Sequence, residues 1–310
     1  MIAFVFPGQG SQKVGMGQTL AEQLPESREV FEQANAALGL SLTALCFEGP
    51  EDQLRLTENT QPALVAVSTA IVRALSERSV RPDFVAGHSL GEYSAHVAAG
   101  TLGFGDALRT VRNRGRYMQE AVPVGEGAMA AILGLDADAA AKACDEAANG
   151  AVVSPANLNA PGQVVIAGST AAVERAGARA KELGARRVVP LPVSAPFHCA
   201  LMQPAQDRLA PELRGLVVAD PMVPVIANLD AEPKRDGASA IEALVAQVTA
   251  PVRWEQVVRR LASEGVDTYV EVGPGSVLSG LIRKIDREAR VMSVCDPDGV
   301  EQVASTLASV

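Results

Sequence analysis

Ser89 lies where the sequence could make it a nucleophile. It is the centre of the segment 87–91 (GHSLG), which follows a short apolar run and precedes a helical pattern. At a strand-to-helix turn, G-x-S-x-G supplies small residues on both sides of the serine and places its hydroxyl at the helix N-terminus, where backbone N–H groups favour a developing negative charge. We therefore predict that Ser89 is a nucleophile. The alternative is a glycine-rich turn that contains an incidental serine.

A serine hydroxyl needs a general base near pH 7, and the chain has 3 histidines. His88 neighbours Ser89, and adjacent side chains on such a turn point apart. His96 lies two helical turns further along, so we expect it in the core or on the surface. His198 lies in an irregular, proline-containing segment, 194–199 (SAPFHC), and loops on rigid scaffolds commonly carry catalytic groups. By elimination, we predict His198 as the base.

An arginine interrupts the apolar face of a helix that the pattern predicts over residues 106–121. The residues that share this face are Ala107, Val111, Arg114, Met118 and Ala121. A buried guanidinium is costly unless an acceptor meets it. Arg114 therefore either forms an internal salt bridge or holds a carboxylate of a substrate, to which a planar guanidinium offers two parallel N–H donors.

The loop after the first apolar run, residues 7–12 (PGQGSQ), is rich in glycine. Phosphate binding there is weakly supported, because Lys13 stands where a dinucleotide loop needs a third glycine and no GK[ST] follows. Such a turn can instead direct a backbone N–H at the oxygen of a tetrahedral intermediate, together with the N–H of Leu90. We predict an oxyanion hole at this loop.

Composition argues against several classes of function. The 310 residues carry 27 Lys and Arg against 36 Asp and Glu, a net charge of −9, which disfavours nucleic acid as a partner. The 4 cysteines lie far apart and no paired histidines complete a metal site, so we expect reduced thiols and no metal. The apolar start is too short for a signal peptide, and the most apolar window, residues 63–72, is too short to span a bilayer. We expect a soluble, cytoplasmic protein with no membrane partner.

The elements that must position these residues alternate between strand and helix. Strands are predicted at 2–6, 84–86, 223–227 and 268–272, with helices between them. Such alternation indicates a parallel sheet covered by helices. One helix is predicted to begin at about Pro62, because proline is favoured at the first helical position.

Between residues 128 and 191 the pattern changes to βαββαβ, which is the ferredoxin-like unit. We therefore expect an α/β fold with two parts. The large catalytic domain is discontinuous, with residues 1–125 and 192–310, and the small subdomain inserted into it comprises residues 126–191.

Seven motifs, in order along nearly the whole chain, resemble those of the malonyl-CoA:acyl carrier protein transacylases of bacterial type II fatty acid synthesis, which are related to polyketide synthase acyltransferase domains. The motifs are FVFPGQGSQ at 4–12, GHSLGEY at 87–93, RGRYMQEA at 114–121, QVVIAG at 163–168, APFH at 195–198, PVRW at 251–254 and EVGPG at 271–275. The resemblance implies an α/β-hydrolase-like core with a ferredoxin-like insertion, in agreement with the pattern above.

The resemblance also implies catalytic roles. Ser89 becomes the nucleophile, His198 the general base and acid, and Arg114 the anchor of the free malonyl carboxylate. A glutamine that matches Gln247 orients the histidine in place of an aspartate, so the site resembles a Ser-His dyad.

Further roles concern the oxyanion and the acyl pocket. The resemblance implies that the backbone N–H groups of Gln9 and Leu90 form the oxyanion hole. It also implies that Met118 and Phe197 contact the acyl group. Phe197 and Leu90 match malonyl-type rather than methylmalonyl-type sites, where bulk would crowd an α-methyl group.

The implied reaction is ping-pong. A malonyl group moves from malonyl-CoA to the serine and then to the phosphopantetheine thiol of acyl carrier protein, and no cofactor or metal is needed because one thioester replaces another. The family's carrier is acidic, so this acidic chain needs a local basic patch for docking. The candidates are Arg186 with Arg187, and Arg283 with Lys284 and Arg287. We expect a monomer, although the sequence does not determine the oligomeric state.

Other functions remain open at this point. A serine esterase, lipase or thioesterase would use the same elbow, but those enzymes usually carry a late histidine, and none follows His198. A buried Arg114 is also unexpected for neutral esters. A non-catalytic interaction protein would not need Ser89, His198 and Arg114 together. A discrete polyketide-type acyltransferase would perform the same chemistry for a different carrier.

Overall fold

A computed structural model describes residues 1–193 and 195–308. Ser194, the first residue of the predicted irregular segment, and the last two residues lie outside these ranges. Within the described ranges, ten strands form two sheets. They are β1 Ile2–Phe6, β2 Phe84–Gly87, β3 Gly127–Leu133, β4 Val153–Ala160, β5 Gln163–Ser169, β6 Arg187–Pro190, β7 Val225–Ile226, β8 Pro233–Lys234, β9 Thr268–Val272 and β10 Arg290–Val294.

Helices connect most of these strands. They are α1 Gln18–Gln23, α2 Pro25–Leu38, α3 Leu42–Glu48, α4 Glu51–Leu54, α5 Thr57–Glu77, α6 Gly91–Ala98, α7 Phe104–Glu120, α8 Ala137–Ala147, α9 Thr170–Glu182, α10 Gln203–Arg214, α11 Gly237–Gln247, α12 Trp254–Ser263, α13 Val277–Ile285 and α14 Pro297–Leu307. A short 3₁₀ turn, Ala200–Met202, precedes α10. Of the described helices, none combines the length and the apolar character that crossing a membrane would require.

The larger sheet has the order β10-β9-β1-β2-β7-β8, and every pair in it is parallel except β7 with β8. Alternate side chains of the central strand β1 enter two different apolar cores, because successive side chains of a strand point to opposite faces. Phe4 and Phe6 pack with helices α5 and α7, whereas Ala3 and Val5 pack with Trp254 of α12. The predicted parallel sheet covered by helices is thus confirmed, and the carboxyl ends of β1, β2 and β9 meet at one edge.

The smaller sheet is antiparallel and has the order β4-β5-β3-β6. With α8 and α9 between its strands, it forms the predicted ferredoxin-like unit. One face of this sheet, including Ile132 and Ile166, packs against α8 and α9. The other face, including Met129 and Val165, packs against Cys199 and partly buried residues around it. The sheet therefore supports the segment that carries His198.

The helix predicted to begin at about Pro62 begins earlier, so that prediction is wrong. Helix α5 starts at Thr57 and contains Pro62 in its interior. Its first turns carry the buried polar residues Thr57, Thr60 and Gln61, so apolar periodicity does not reveal them. A proline inside a helix removes one N–H donor and crowds the carbonyl four residues earlier, and the extensive burial of α5 opposes this cost. The earlier start places Gln61 on a helix that faces the candidate site.

Candidate active site

The turn between β2 and α6 has the geometry of a nucleophile elbow. Ser89 has a φ of 52°, in the left-handed region, which costs free energy and is common at functional sites. A Cβ on Gly87 would lie 1.9 Å from the backbone of Gly91, and a Cβ on Gly91 would lie 2.0 Å from the carbonyl oxygen of Phe6. Only glycine fits at both positions, as the sequence predicts.

Asn228 holds this strained turn from the neighbouring part of the sheet. Its Oδ1 accepts a hydrogen bond from the backbone N–H of Ser89 at 2.7 Å, and its Nδ2 donates to the carbonyl of Gly87, also at 2.7 Å. Two hydrogen bonds from one buried amide thus fix the backbone on both sides of the turn. Sequence reasoning missed Asn228, which lies outside every motif that carries the family resemblance.

His198 contacts Ser89 directly. The distance between Nε2 of His198 and Oγ of Ser89 is 2.6 Å. On the other side of the ring, Nδ1 lies 3.0 Å from the backbone carbonyl of Gln247, which can only accept. Nδ1 therefore carries the proton and Nε2 is left as an acceptor for the serine hydroxyl.

The imidazole of His198 is held in its neutral form. The side chain is 3% exposed, and burial together with the positive charge of Arg114 lowers its pKa to about 3. A neutral imidazole can accept the Ser89 proton at any pH near 7. The Gln247 carbonyl would then accept from Nδ1–H of the imidazolium that forms.

Gln247 thus contacts His198, as the resemblance implies, but through its backbone carbonyl and not through its side chain. The side chain bridges other parts of the site: Oε1 accepts from Nη2 of Arg114 at 3.0 Å. Its Nε2 donates to the carbonyl of Ser89 at 3.0 Å and to Oε2 of Glu92 at 2.7 Å. One residue therefore connects the nucleophile, the base and the arginine.

Arg114 is buried in the site, with 2% of its surface exposed. Nη1 donates to Oε1 of Gln61 at 2.8 Å, and Nη2 donates to Oγ of Ser89 at 3.1 Å. Nε has no hydrogen-bond partner in the described part of the chain. The guanidinium also lies over the ring of Tyr93, 5.4 Å from its centroid, an arrangement that stabilises a cation.

The internal salt bridge considered for Arg114 is not present in the described residues, where no carboxylate lies within ion-pairing distance of it. Its partners are neutral groups, and burial lowers its pKa. A buried cation without a directly paired carboxylate, next to a serine hydroxyl, favours an anionic ligand at this point.

A cavity of about 140 Å³ opens beside Ser89. Its lining includes the other residues that the resemblance assigned to the site: Gln9, Leu90, Met118 and Phe197.

The first glycine-rich loop lies directly against the elbow. A Cβ on Gly8 would be 2.6 Å from the carbonyl oxygen of His88, and the Gln9 side chain donates to Oγ1 of Thr57 at 3.2 Å. In the described ranges, the backbone N–H groups of Gln9 and Leu90 form no hydrogen bond. Both donors thus remain free for an oxyanion.

The other candidate groups do not contact the Ser89 hydroxyl. His88 lines the same cavity, but its Nε2 lies 2.8 Å from Oδ1 of Asn159. His96 is fully buried in the core. Cys199 donates its thiol to the carbonyl of Pro196, and burial raises its pKa to about 11, which makes it a poor nucleophile. In the ranges described, no group of three or more His, Cys, Asp or Glu residues is arranged to hold a metal ion.

Sequence reasoning also missed Gln61 and Glu92. Gln61 lies beside Pro62, where the pattern indicated the start of a helix, so no apolar spacing distinguished it. Glu92 is part of the GHSLGEY motif, which is the signal that could have identified it.

A serine on a strand–turn–helix elbow, within contact of a buried histidine and at the carboxyl edge of a parallel sheet, defines the class of α/β enzymes that act on acyl groups through a serine hydroxyl. Comparison with known proteins identifies the family within this class to which the chain belongs.

Residues 3–301 match the family model described as acyl transferase domain. The chain is 50% identical over 307 residues to the malonyl CoA-acyl carrier protein transacylase of Bacillus subtilis, covering 99% of this chain and 97% of that protein. An acyl carrier protein S-malonyltransferase structure from Vibrio cholerae has 49% identity and a TM-score of 0.96, with 97% of this chain and 99% of that chain covered. A type II PKS acyl-carrier protein in complex with its malonyl-transacylase matches at 47% identity and a TM-score of 0.96, covering 98% of this chain and 99% of that one. The chain belongs to the malonyl CoA-acyl carrier protein transacylase family.

Proposed function

We propose that this protein transfers the malonyl group of malonyl-CoA to the phosphopantetheine thiol of acyl carrier protein, through a malonyl ester on Ser89. The observation that carries the proposal is the buried Arg114, whose Nη2 lies 3.1 Å from the Ser89 hydroxyl with no carboxylate of the described chain in ion-pairing distance. An acyl group with a free carboxylate satisfies that cation while its thioester carbon reaches the serine. Such a reaction supplies malonyl thioesters to fatty acid or polyketide synthesis.

The first half-reaction loads the enzyme. Oγ of Ser89 attacks the thioester carbon of malonyl-CoA, and its proton passes to Nε2 of His198. The negative charge that develops on the carbonyl oxygen is held by the backbone N–H groups of Gln9 and Leu90. The tetrahedral intermediate then collapses, the C–S bond breaks, and the CoA sulfur takes the proton from His198.

The second half-reaction uses the same groups in reverse. The carrier thiol gives its proton to His198, its sulfur attacks the ester carbon, and the C–O bond to Ser89 breaks as the proton returns to Oγ. One thioester replaces another, so the proposed cycle needs neither a metal nor a cofactor. The acyl-enzyme is an obligatory intermediate of this ping-pong cycle.

Arg114 provides selectivity in this scheme. The malonyl carboxylate accepts hydrogen bonds from the guanidinium, whereas an acetyl group leaves the cation unpaired in a buried site, at a cost of about 3 to 5 kcal/mol. Met118 and Phe197 line the same cavity and limit the size of the acyl group.

Three features of the protein as a whole complete the proposal. A cytoplasmic location fits the free thiols of the four cysteines. We propose a monomer, and a division into a large discontinuous domain of residues 1–125 and 192–310 and an inserted subdomain of residues 126–191, which agrees with the separate core of the antiparallel sheet.

Intact-protein mass spectrometry tests the proposed function. After incubation with malonyl-CoA, we expect one malonyl group per chain, mapped to the peptide that contains Ser89, and little acylation by acetyl-CoA. Addition of carrier protein with its phosphopantetheine should remove the adduct and give malonyl-carrier, whereas carrier without the phosphopantetheine should not. Release of free malonate at the same rate without any carrier would instead indicate a hydrolase.

A further inference from the structure

The carboxyl of Glu92 is buried close to the reacting groups, although it does not contact the side chains of Ser89 or His198. Glu92 is 0% exposed and lies in the first turn of α6. Its Oε2 accepts from Nε2 of Gln247 at 2.7 Å and from the backbone N–H of Asn228 at 3.0 Å. Its Oε1 has no partner among the described residues. Burial of an incompletely paired carboxyl is costly, so its presence needs an explanation.

The contacts of Gln247 supply that explanation. The nitrogen of its amide faces two acceptors, the Glu92 carboxyl and the Ser89 carbonyl, and its oxygen faces a donor, Nη2 of Arg114. If the amide rotated by half a turn, its NH₂ group would face the guanidinium and its oxygen would face the carboxyl. Both new contacts would be repulsive. The carboxyl of Glu92, which accepts the shorter of these two hydrogen bonds, therefore helps the Ser89 carbonyl to select one of the two orientations of the amide.

We propose that Glu92 is a positioning residue, which acts through Gln247 to hold the guanidinium of Arg114 where it meets the carboxylate of the acyl group. The inference rests on the proposed function above and adds to it the residue that sets its selectivity. Glu92 places a carboxyl near the buried cation, separated from it by one amide. Direct pairing with Arg114 would neutralise the cation that the substrate carboxylate needs, whereas the indirect arrangement leaves the guanidinium with neutral hydrogen-bond partners only.

A purely structural role for Glu92 makes a different prediction. Its bond to the Asn228 backbone supports the elbow, since the Asn228 side chain binds Ser89 N–H and the Gly87 carbonyl. Damage to the elbow would slow acylation by every acyl donor alike, because Ser89 is common to all of them. A positioning role through Arg114 would affect malonyl-CoA much more than acetyl-CoA.

The experiment compares Glu92→Gln, Gln247→Ala and the double variant, with kcat/KM for acylation by malonyl-CoA and by acetyl-CoA. Glu92→Gln keeps the shape of the side chain but replaces the carboxyl by an amide, whose NH₂ group can face Gln247 as readily as its oxygen. The preference for one orientation of the Gln247 amide is then weakened by about the free energy of one hydrogen bond, so we expect the malonyl-to-acetyl ratio to fall about tenfold. Gln247→Ala leaves the backbone carbonyl that binds His198 and should lower the ratio at least as much. In the double variant the ratio should equal that of Gln247→Ala, because the two residues act in series.

Glu271→Gln is the matched control. Glu271 is also 0% exposed, but its carboxylate accepts from the backbone N–H groups of Leu278 and Ser279 at the start of α13. We expect this variant to lose stability and to keep the wild-type ratio.

Several results would overturn the inference. One is an equal loss for both acyl donors in Glu92→Gln, and another is a further fall of the ratio in the double variant. If Glu92→Gln does not fold, the test depends on Gln247→Ala alone. A wild-type malonyl-to-acetyl ratio in that variant would contradict the proposal. Failure of the proposed function itself would be visible earlier, as the absence of a malonyl adduct on wild-type Ser89, and the inference would fall with it.

Discussion

Nε2 of His198 lies 2.6 Å from Oγ of Ser89, although 109 positions separate the two residues in the chain. The elbow fixes the serine at the edge of the parallel sheet. The face of the antiparallel sheet opposite α8 and α9 packs against Cys199, beside the histidine. The reactive pair is therefore assembled where the two sheets meet.

Replacement of Ser89 by alanine should abolish acylation. The hydroxyl is the only part of the proposed machinery that forms a covalent bond, so we expect kcat for malonyl transfer to fall by about 10⁴-fold or more. The matched control is Cys199→Ala, which removes the neighbouring thiol and should retain the adduct. Intact mass measurement after incubation with malonyl-CoA checks both, and an adduct that persists in Ser89→Ala would assign the nucleophile to another residue.

Arg114→Ala should change selectivity rather than abolish chemistry. We expect kcat/KM for malonyl-CoA to fall about 100-fold or more, because the buried carboxylate loses its partner, while acylation by acetyl-CoA is spared or raised. Arg112→Ala on the same helix is the control, since Arg112 is half-buried and outside the cavity. Acylation rates with the two CoA esters test this, and an equal loss of both would mean that Arg114 is only structural.

Gly91→Ala should destabilise the protein through the elbow. A Cβ at this position would lie 2.0 Å from the carbonyl oxygen of Phe6, so either β1 or α6 must move, at a cost of about 1 to 3 kcal/mol or more. Gly280→Ala is the matched control, because its added Cβ meets no heavy atom within 4 Å beyond its chain neighbours and the backbone of its own helix, and alanine reduces the entropy of the unfolded chain. There we expect a gain of about 0.4 to 1 kcal/mol. Urea denaturation of both variants measures the free energy of unfolding, and equal values would contradict this account.

His96 should make the protein less stable in mild acid. Burial lowers its pKa from 6.5 to about 3 in the folded state. Between these values the unfolded chain binds one more proton than the folded protein, so the free energy of unfolding falls as the pH decreases below about 6.5. Glu92 works in the opposite direction, because burial raises its pKa to about 7.

The test for His96 therefore compares the pH dependence of the free energy of unfolding in a variant and in the wild type. Neither ring nitrogen of His96 has a hydrogen-bond partner in the described chain, so His96→Leu should be tolerated. Below pH 6.5, the stability of this variant should depend on pH less steeply than that of the wild type, by about 1.4 kcal/mol per pH unit. Urea denaturation at pH 7, 6 and 5 gives both slopes. Equal slopes of the free energy of unfolding against pH in the two proteins would show that His96 is not held neutral.

Carrier docking should depend on a basic patch and not on net charge. All four side chains are exposed. Arg283 and Lys284 already donate to the Val291 carbonyl and the Gln163 side chain, whereas the side chains of Arg186 and Arg187 form no hydrogen bond or ion pair with another described residue. We therefore expect charge reversal at Arg186 and Arg187 to lower kcat/KM for the carrier and weaken its salt dependence. Acylation by malonyl-CoA should stay unchanged. The same charge reversal at Arg283 and Lys284 is the comparison. A larger effect of that variant would assign the docking surface to Arg283 and Lys284 instead.

Much of the fold and part of the site follow from short-range patterns. The elbow at 87–91, the buried face that carries Arg114 and the βαββαβ order each depend on residues that are close in sequence, because side-chain period and turn geometry are local properties. For the same reason the start of α5 was misplaced: its first turns are polar, and only burial by the rest of the chain explains why they are helical.

The hydrogen-bond partners were decided by the tertiary structure. The sequence predicts a carboxylate partner for Arg114, either within the chain or on a substrate, but does not decide between them. It assigns Gln247 to the orientation of His198 only through the family resemblance. Packing determined that the backbone carbonyl of Gln247 meets His198 and that its side chain links Glu92 to Arg114. These contacts join residues more than 45 positions apart, and no local pattern encodes which distant groups a folded core will bring within 3 Å of one another.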